Sequence, residues 1–561
     1  MTLIEMLIKQ NRAFPSKPAI ICEDKRVSYT ELFEKVVAMS HHLFISGVTK
    51  KQRVVIMMES KKPELIISFL AIAACGAIVV PVDCNQPDDY INRMFQIISP
   101  SSIMISTKMH HRLDKINHNL SQSRIVILSD DNMELSPTNS RDYGFPPVSV
   151  SDHDTVYFNM TSGTTGVPKC AVTTHENIYF NTLASVEHFS LTSDDVHLCM
   201  FPPATHPHEI FARALFLGGT MVLTDHIAPK SLTRVIEKNK VTAMMAIAPI
   251  YGNFTRCHKR NDFKFSTLKI AESGGMHLDP VTAAEFRKRF GIPIIPVWGS
   301  TETAGIALAM PLKMPLRISH EVKITTGSAY PRSKESTYPV PEEPSYPTPE
   351  EPAYPATEES AYPATEEPAY PATEEPASSA SEDTTSKSGS CGVPCRYYEV
   401  DIVNKEGISL PSGEIGEMIV KGKGVCSSYY SNDNENIKNF KNGWYYTNDM
   451  FKKDEDGFFY FAGRKNGMMK VAGMKVYPVE IEDLLIQHPL IKEVCVVRTS
   501  DPVHGEIPRA VIVPEDEANL TKEEIRLYCN SRLAFYKIPK IIEFRASLPR
   551  NPVGKIMAHQ L

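Results

Sequence analysis

Helical and extended patterns alternate along most of this chain, and the alternation restricts the folds that it can adopt. The pattern predicts these elements: helix 32–43 closed by Gly47, strand 54–58, a helix from about Pro63, strand 77–80, helix 88–98, and strands 103–105 and 125–128. Strand, helix and strand in short succession predict a parallel sheet that is covered on both faces. The alternation resumes after residue 169 and continues to about residue 305.

A proline-rich repeat then interrupts the alternation. Five consecutive octads of the form Tyr-Pro-x-x-Glu-Glu-x-x occupy residues 338–377, and they hold ten glutamates and no lysine or arginine. Dense proline disfavours helix and sheet, and repulsion between carboxylates keeps a chain extended. Residues 331–390 are therefore predicted to be a disordered insertion. The insertion either has no chemical role or acts as a flexible docking arm that presents Tyr-Pro units to a partner.

Ordered patterns return at Cys391 and continue to the last residue. The elements predicted here are strands 398–403 and 417–420, helix 476–488, strands 494–498 and 510–513, and helix 522–532. A chain of 561 residues is too long for one simple core. We predict an N-terminal domain over 1–462, interrupted by the insertion, and a smaller C-terminal domain over 463–561.

Composition excludes several classes of protein. The chain is 42% hydrophobic and 22% charged with a net charge of −6, which argues against nucleic acid as a partner. Eleven cysteines are scattered without a regular framework, which predicts reduced thiols and a cytoplasmic location. The N-terminus lacks a basic segment, and Gly76 and Pro81 interrupt the charge-free run at 65–82. Neither a signal peptide nor a transmembrane segment is predicted.

A loop rich in glycine and hydroxyl groups follows a predicted strand at 156–160. Residues 161–169 read Thr-Ser-Gly-Thr-Thr-Gly-Val-Pro-Lys. Glycines let the backbone approach a ligand closely, and hydroxyls, N–H groups and the Lys169 ammonium can surround phosphate oxygens. The loop is not a Walker motif, because Pro168 precedes the lysine and no Ser or Thr follows it. On its own, the loop is as compatible with binding nothing as with binding phosphate.

Further motifs in a fixed order make a resemblance specific. They are His175-Glu-Asn, Trp298-Gly-Ser-Thr-Glu-Thr303, Tyr446-Thr-Asn-Asp449, Gly463-Arg464, Lys470-x-x-Gly473-x-x-Val476-x-Pro478-x-Glu480-Ile-Glu482, and Leu548-Pro-Arg-Asn-Pro-Val-Gly-Lys555. With the loop, they resemble the motifs of the adenylate-forming superfamily, which comprises acyl-CoA synthetases, nonribosomal adenylation domains and beetle luciferases. The resemblance spans the chain except the insertion. It implies an α/β fold with a large N-terminal domain of doubly wound sheets plus a small β-barrel, and a small, mobile α+β C-terminal domain.

The resemblance also implies a two-step reaction. A carboxylic acid attacks the α-phosphate of ATP, forming acyl-AMP and pyrophosphate, and a thiol then displaces AMP. Because negative charge builds up in the first transition state, the site needs cations and oriented donors. The groups implied to hold the β- and γ-phosphates are Lys169 with Thr161, Ser162, Gly163, Thr164, Thr165 and Gly166. By the same resemblance, Thr161 and Glu302 bind Mg²⁺, Thr301 contacts the α-phosphate, and Lys555 bridges the acid and the phosphate.

The resemblance assigns the nucleoside to a second group of residues. Asp449 accepts the ribose hydroxyls, Arg464 adds a donor, and Trp298 stacks on adenine. The remaining nucleotide-binding residues implied are Gly274, Gly275 and Met276, against which adenine lies, and Gly299 and Ser300 of the Trp298 motif. Taken singly, Asp449 could be a cap, Trp298 a core aromatic and Arg464 a surface ion pair.

The acyl pocket is less clearly specified. His206 aligns with a histidine that acyl- and aryl-CoA synthetases often carry near the acyl carboxylate, although a structural histidine is an equal alternative. Ala204 stands where amino-acid-activating domains usually have an aspartate, so a free α-ammonium would lack its counter-charge. Small apolar residues at 248–251 and 304–308 suit an aliphatic or aromatic acid.

The thiol acceptor stays open between coenzyme A and a carrier protein. By the resemblance, the C-terminal domain rotates after adenylation, and a pantetheine thiol enters past Gly473, where a side chain would narrow the channel. The first prediction is an acyl-CoA synthetase that uses ATP, Mg²⁺ and coenzyme A. The alternatives are a stand-alone adenylation protein that loads a carrier protein and a catalytically degraded nucleotide-binding scaffold that acts through its acidic repeat. Asn448 and Asn466 depart from the family pattern, at a usual glycine and at the hinge.

Overall fold

The computed structural model describes most of the chain outside the insertion. The described residues are 1–84, 86–116, 124–128, 144–161, 169–204, 206–257, 263, 265–312, 387–465, 467–471, 474–501, 505–516, 518–530, 532–551 and 554–561. Several predictions therefore lie outside the described residues, namely those on the loop at 162–168, on the insertion as far as residue 386, on Asn466 and on Gly473. The side chain of Thr161 is outside them as well.

The described part of the chain contains helices and strands in alternation. Its helices are α1 (Leu3–Ala13), α2 (Tyr29–Ile45), α3 (Pro63–Ala74), α4 (Asp88–Ile98), α5 (His175–His188), α6 (Ala212–Leu217), α7 (Pro229–Asn239), α8 (Ala248–Arg256), α9 (Pro280–Phe290), α10 (Asp433–Asn439), α11 (Pro478–Leu485) and α12 (Lys522–Asn530). Its first strands are β1 (Pro18–Cys22), β2 (Lys25–Ser28), β3 (Arg53–Met57), β4 (Ile78–Pro81), β5 (Ser102–Ser106), β6 (Arg124–Leu128), β7 (Thr155–Thr161) and β8 (Lys169–Thr174).

The later strands continue in the same numbering. They are β9 (Val196–Cys199), β10 (Thr220–Leu223), β11 (Ala243–Ala246), β12 (Ile270–Ser273), β13 (Ile294–Ser300), β14 (Gly305–Ala309), β15 (Val393–Pro394), β16 (Tyr398–Val403), β17 (Ile415–Gly422), β18 (Phe440–Lys441), β19 (Trp444–Lys453), β20 (Phe459–Arg464), β21 (Met469–Val471), β22 (Met474–Val476), β23 (Ile491–Asp501), β24 (Gly505–Pro514) and β25 (Ile541–Phe544).

The first sheet has six strands in the order β6-β5-β3-β4-β7-β8. Its pairs are parallel except β7 and β8, which are antiparallel and place Thr161 opposite Lys169. The parallel sheet predicted from the alternating pattern is thus confirmed. Every residue of α3 except Glu64 is buried, which explains the apolar run at 65–82 as a core helix followed by a core strand. None of the helices in the described ranges has the length and apolarity that a membrane span needs.

The second sheet has nine strands in the order β15-β14-β13-β12-β11-β9-β10-β1-β2. Strands β9, β11, β12 and β13 run parallel, so their carboxyl ends lie along one edge. In open α/β sheets, ligands bind beyond the carboxyl ends of the strands. Strands β13 and β14 form an antiparallel hairpin whose turn lies at this same edge.

The remaining strands form two smaller sheets. The region predicted as a small β-barrel is a five-stranded antiparallel sheet made of β16 to β20. The C-terminal block forms its own five-stranded sheet from β21 to β25, packed with α11 and α12. The sheets change between Arg464 and Met469, next to the predicted domain boundary, which itself stays a prediction.

One predicted helix begins later than expected. Residues 476–488 were expected to be helical throughout, but Val476 ends β22 and α11 begins at Pro478. Tyr477 has an extended backbone, with φ −106° and ψ 123°. A residue that precedes proline is held out of the helical region by the proline ring, so the helix can begin only at Pro478.

Candidate active site

Glycines open the sheet edge where a nucleotide is expected. Gly274 follows β12, and a Cβ atom there would lie 2.8 Å from Val297 Cγ2 on the neighbouring strand. Gly275 has φ +76°, a conformation that side chains other than glycine rarely adopt. At Gly299 on β13, a Cβ atom would lie 2.1 Å from the carbonyl oxygen of Gly305. The tight hairpin and the open edge therefore both depend on glycine.

The hairpin turn carries Thr301 and Glu302. The Ser300 N–H donates to Thr303 Oγ1 over 2.9 Å, and the Thr303 N–H donates back to Ser300 Oγ over 3.3 Å. The Thr303 hydroxyl also donates to the carbonyl oxygen of Gly305 over 2.6 Å. Short polar side chains that bond their own backbone stabilise tight turns. The Glu302 carboxylate is thus carried on a fixed turn at the ligand edge of the second sheet.

Tyr429 connects Glu302 to Lys169. Its hydroxyl donates to Glu302 Oε1 over 2.6 Å, and its ring centroid lies 5.2 Å from Lys169 Nζ. Glu302 and Tyr429 are both buried. An ammonium close to an aromatic ring is attracted by the negative charge of the ring face. The two predicted phosphate-side groups therefore lie on either side of one tyrosine.

A carboxylate also holds the Lys169 ammonium. Lys169 Nζ donates to Glu435 Oε2, and both side chains are largely buried. Hydrogen bonds from Lys169 and Lys438 lower the pKa of Glu435 to about 2, so its carboxylate is charged at neutral pH. Glu435 lies in the first turn of α10, whose N-cap residue is Asn432. The cation predicted for phosphate already has an anionic partner in this structure.

Asp449 is the centre of a second cluster. Its Oδ2 accepts from Trp298 Nε1 over 3.0 Å, and its Oδ1 lies 2.7 Å from Arg464 Nε. Burial raises the pKa of Asp449, and the charge of Glu302 raises it further. The charges of Arg464 and Lys555 and the hydrogen bond from Trp298 offset part of this increase. Oδ1 is buried and accepts no well-aligned hydrogen bond from any residue in the described ranges. A hydroxyl of a bound ribose fits such an acceptor.

Trp298 has a structural task in this cluster. Its indole is buried and meets Phe451 edge-on at 6.0 Å between ring centroids. Its N–H holds the Asp449 carboxylate, a bond that a phenylalanine at this position could not make. Stacking of Trp298 on adenine stays a prediction.

Lys555 reaches the Asp449 cluster from the C-terminal domain. Its side chain remains solvent accessible. Partial desolvation by the surrounding protein lowers its pKa. The positive charge of Arg464 lowers this pKa further, and the negative charge of Asp449 raises it. Its loop is tight, because Asn551 and Lys555 exchange two hydrogen bonds of 2.8 Å. A Cβ atom on Gly554 would lie 3.4 Å from Ile247 Cδ1, so the loop approaches the end of β11.

The two domains also meet through one polar contact. His277 Nε2 lies 2.7 Å from Asp483 Oδ1, and the two side chains are 25% and 33% exposed. Burial lowers the pKa of His277, but the hydrogen bond and charge of Asp483 outweigh that effect and raise it. Glu482 precedes Asp483 on α11, and burial raises the pKa of Glu482 to about 7. This contact joins the loop after β12 to α11.

Asn448 adopts the backbone conformation that a glycine would favour. Its φ is +60°, in the left-handed region, which asparagine tolerates better than most residues. Its Nδ2 donates to Asn439 Oδ1 over 2.8 Å, and its N–H donates to Glu417 Oε1 over 3.1 Å. Asn448 therefore keeps the irregular backbone within β19, where the pairing with β17 shifts register, next to Asp449.

His206 and His208 differ in their surroundings. His208 is buried with both ring nitrogens bonded, to the Tyr157 hydroxyl at 2.8 Å and to the Ala304 carbonyl oxygen at 2.9 Å. Its role is structural, and burial lowers its pKa to about 4. His206 is half-buried, and its Nδ1 lies 3.4 Å from Asn159 Nδ2. Burial and then His208 lower the pKa of His206 to about 4, against the charges of Glu209 and Glu302, so it is neutral at physiological pH.

The described site thus brings the predicted residues into one region, although hundreds of residues separate them in the sequence. Lys169 and Glu302 both contact Tyr429. Glu302 helps to raise the pKa of Asp449, and Asp449 opposes the lowering of the pKa of Lys555. Sequence reasoning missed Tyr429, Glu435 and the His277–Asp483 contact. The one available signal was the Tyr-Tyr pair at 429–430 followed by an Asn/Asp/Glu-rich stretch, which has no chemical meaning until the fold places it beside Lys169.

Comparison with known proteins agrees with this geometry. The sequence profile described as "AMP-binding enzyme" matches residues 7–334, and the profile described as "AMP-binding enzyme C-terminal domain" matches residues 480–555. The chain belongs to the AMP-binding enzyme family. It is an AMP-forming acid–thiol ligase, and ligases of this kind use ATP, Mg²⁺ and coenzyme A.

Individual relatives extend over nearly the whole chain. A crotonobetaine/carnitine–CoA ligase of Escherichia coli is 25% identical over 97% of this chain and 96% of its own length. A long-chain-fatty-acid–CoA ligase of Escherichia coli is 24% identical over 100% of this chain and 94% of its own length. The solved structure of the anthranilate CoA ligase AuaEII with anthranoyl-AMP has a TM-score of 0.80 and 20% identity, covering 100% of this chain and 96% of that one. The predicted superfamily and the α/β two-domain fold are thereby confirmed.

Proposed function

We propose that this ligase is an acyl- or aryl-CoA synthetase that activates an aliphatic or aromatic carboxylic acid without an α-ammonium group. It joins the acid to AMP with release of pyrophosphate, and then transfers the acyl group to coenzyme A with release of AMP. The observation that carries the proposal is a set of polar groups in contact: Tyr429 touches both Lys169 and Glu302, and Trp298, on the strand that leads to Glu302, bonds the buried Asp449 carboxylate beside Arg464. Such a set matches a ligand that carries phosphates at one end and a ribose at the other.

In the adenylation step, each group has a role that follows from its position. Lys169 leaves Glu435 and binds the β- and γ-phosphates, assisted by the loop residues of 161–166. Glu302, and by the resemblance Thr161, would hold Mg²⁺, which would supply positive charge against the phosphates. Thr301, one residue before Glu302 on the same turn, is suited to the α-phosphate. Lys555 brings a cation to the oxygen that attacks, where preorganised charge is worth most.

The nucleoside side is held by groups that are already oriented. Asp449 accepts the ribose hydroxyls at the free lone pairs of Oδ1, and Arg464 donates beside it. Trp298 keeps the carboxylate in place through its N–H. Adenine then lies along the backbone of 274–276, where glycine at 274 and 275 leaves the surface open.

The residues predicted for the acid pocket suit an acid whose carboxylate is attached to an apolar group. Ala248, Ile250, Ala304, Ile306 and Leu308 are all buried and apolar. The half-buried and neutral His206 is suited to hydrogen-bond the acid carboxylate. Because an unpaired ammonium is costly in apolar surroundings, and Ala204 offers no counter-charge, a free α-amino acid is a poor substrate.

The test is ATP–pyrophosphate exchange with a panel of carboxylic acids of different length and aromaticity. We expect exchange with apolar acids and none with free amino acids. Absence of exchange with every acid, while ATP still binds, would show a nucleotide-binding scaffold. In a second assay, AMP release should require coenzyme A, and release that occurs only with a phosphopantetheinylated carrier protein would overturn coenzyme A as the acceptor.

A further inference from the structure

The contacts around Tyr429 extend beyond simple packing. Residues 428–430 run beside β8, where Val172 N donates to the Ser428 carbonyl oxygen over 3.0 Å and Tyr430 N donates to that of Cys170 over 2.8 Å. Three residues before Tyr429, the Cys426 N–H donates to the carbonyl oxygen of Glu302 over 2.7 Å. One short segment is therefore bonded to the strand that carries Lys169 and to the turn that carries Glu302.

Tyr429 itself is held rigidly. Its N–H donates to Asn436 Oδ1 over 2.6 Å, and Asn436 Nδ2 donates back to the Tyr429 carbonyl oxygen over 2.9 Å. Its ring packs against Phe440 at 5.3 Å between centroids. Its hydroxyl donates to Glu302 Oε1 over 2.6 Å.

We propose that Tyr429 is a positioning residue for the magnesium-bound triphosphate, which orients the Glu302 carboxylate with its hydroxyl and the Lys169 ammonium with its ring. The proposal rests on the proposed function. A hydroxyl bonded to Oε1 at 2.6 Å restricts the rotation of the Glu302 carboxylate, which Tyr445 also contacts by a hydrogen bond, and so holds it on its turn ready for a cation. The ring below Lys169 stabilises the ammonium during its exchange from Glu435 to phosphate.

This arrangement explains why a buried carboxylate and a partly buried lysine are linked by a tyrosine and not paired directly. A direct Lys169–Glu302 ion pair would have to be broken for both groups to reach the ligand. The tyrosine keeps them apart at a set distance, and the separate carboxylate of Glu435 balances the lysine until phosphate arrives. Both groups can then bind one ligand without first breaking an ion pair between them.

The experiment measures binding of three probes by isothermal titration calorimetry: ATP with Mg²⁺, ATP with EDTA, and AMP. We expect Tyr429→Phe to weaken binding of ATP with Mg²⁺ about tenfold, the effect of one lost hydrogen bond at the upper end of its range. The loss should be much smaller in EDTA, and AMP binding should be unchanged because AMP reaches neither group. Tyr429→Leu, which also removes the ring, should weaken ATP binding under both conditions.

Tyr29→Phe is the matched control. The Tyr29 hydroxyl is buried and donates to the carbonyl oxygens of Ala214 and Gly219 at 2.9 and 2.8 Å, away from the site. The Tyr29→Phe substitution should lower the thermal midpoint of unfolding without changing the affinity for any of the three probes. Equal affinity of wild type and Tyr429→Phe for ATP with Mg²⁺, or a parallel loss of AMP binding, would overturn the positioning role alone. Failure of the wild-type protein to bind ATP with Mg²⁺ would overturn the proposed function and this inference together.

Discussion

The phosphate side and the ribose side of the site are held together in different ways. Lys169, Tyr429 and Glu302 are joined by contacts inside the large domain, with a 2.6 Å hydrogen bond at their centre. Asp449 is also fixed within the large domain, but the cation above it, Lys555, comes from the C-terminal domain. That domain touches the large one through the His277–Asp483 pair and the approach of Gly554 to Ile247.

The difference teaches which half of the site can change during a reaction. The described contacts of the phosphate side, those of Lys169 and Glu302 with Tyr429, are made within the large domain. The lysine on the other side belongs to the C-terminal block, so we expect its place in the site to depend on the orientation of that block. A two-step ligase needs this division, because the attacking groups differ between its two steps.

The strongest effect should come from Lys555→Ala. We expect adenylation to slow about 10²- to 10³-fold, the typical cost of removing a preorganised group that stabilises transition-state charge. Thioester formation from supplied acyl-AMP should change little. The measurement is single-turnover kinetics of each half-reaction, with Lys492→Ala as the control, because Lys492 forms only a surface ion pair with Asp516 at 3.3 Å. Equal slowing of both half-reactions would contradict a role confined to adenylation.

Lys169→Ala should act mainly on binding. We expect the KM for ATP to rise about ten- to a hundredfold, since a charge-assisted hydrogen bond to phosphate is lost. AMP affinity should remain within about twofold of wild type, because AMP lacks the β- and γ-phosphates to which Lys169 would donate hydrogen bonds. Lys438→Ala is the control, because Lys438 is exposed and also pairs with Glu435. Loss of AMP binding in Lys169→Ala would place this lysine outside the phosphate side.

Asp483→Asn should weaken the contact between the domains. The pKa of His277 is raised, so its ion pair contributes fully below about pH 6.5 and is lost as the pH rises through the raised pKa. We expect adenylation to slow about two- to fivefold at pH 6, the range for a partly exposed pair, and less at pH 8. Glu482 titrates nearby, with a pKa of about 7. The measurement is therefore the ratio of the adenylation rates of Asp483→Asn and wild type at each pH between 6 and 8. A pH-independent ratio would refute the role of this pair.

Deletion of the octads at 338–377 should have the smallest effect. Every contact that builds the described site comes from residues outside the octads, so both half-reactions should stay within about twofold of wild type. The measurement is pyrophosphate exchange and AMP release by the deletion variant, with its thermal midpoint as a check on folding. A folded but inactive deletion variant would show that the repeat takes part in catalysis.

Much of the fold could be predicted because local patterns determine it. The helix predicted at 88–98 and the strand predicted at 398–403 have the bounds that the structure gives them. These segments combine strong periodicity with clear turn residues at their ends. The helix predicted from 476 was wrong at its start, because a pattern of apolar residues does not register that Pro478 fixes the backbone before it.

The site could be predicted only where a motif names its residues. Lys169, Glu302, Asp449 and Lys555 each belong to a short motif, so their residue types and spacing carried the prediction. Tyr429 and the His277–Asp483 pair act through neighbours 127 and 206 residues away in sequence. Such contacts depend on how sheets and domains pack, which no local pattern contains. Disorder of the insertion and the cytoplasmic location stay predictions.

The most direct test of the account is a crystal structure with Mg²⁺ and an ATP analogue whose α,β-bridging oxygen is replaced by methylene. The account predicts that one bound nucleotide contacts Lys169 at its β- and γ-phosphates, Asp449 at its ribose, and Lys555 beside its α-phosphate. A nucleotide bound elsewhere, or one that contacts only a single one of the two lysines while the other faces a separate cavity, would contradict it.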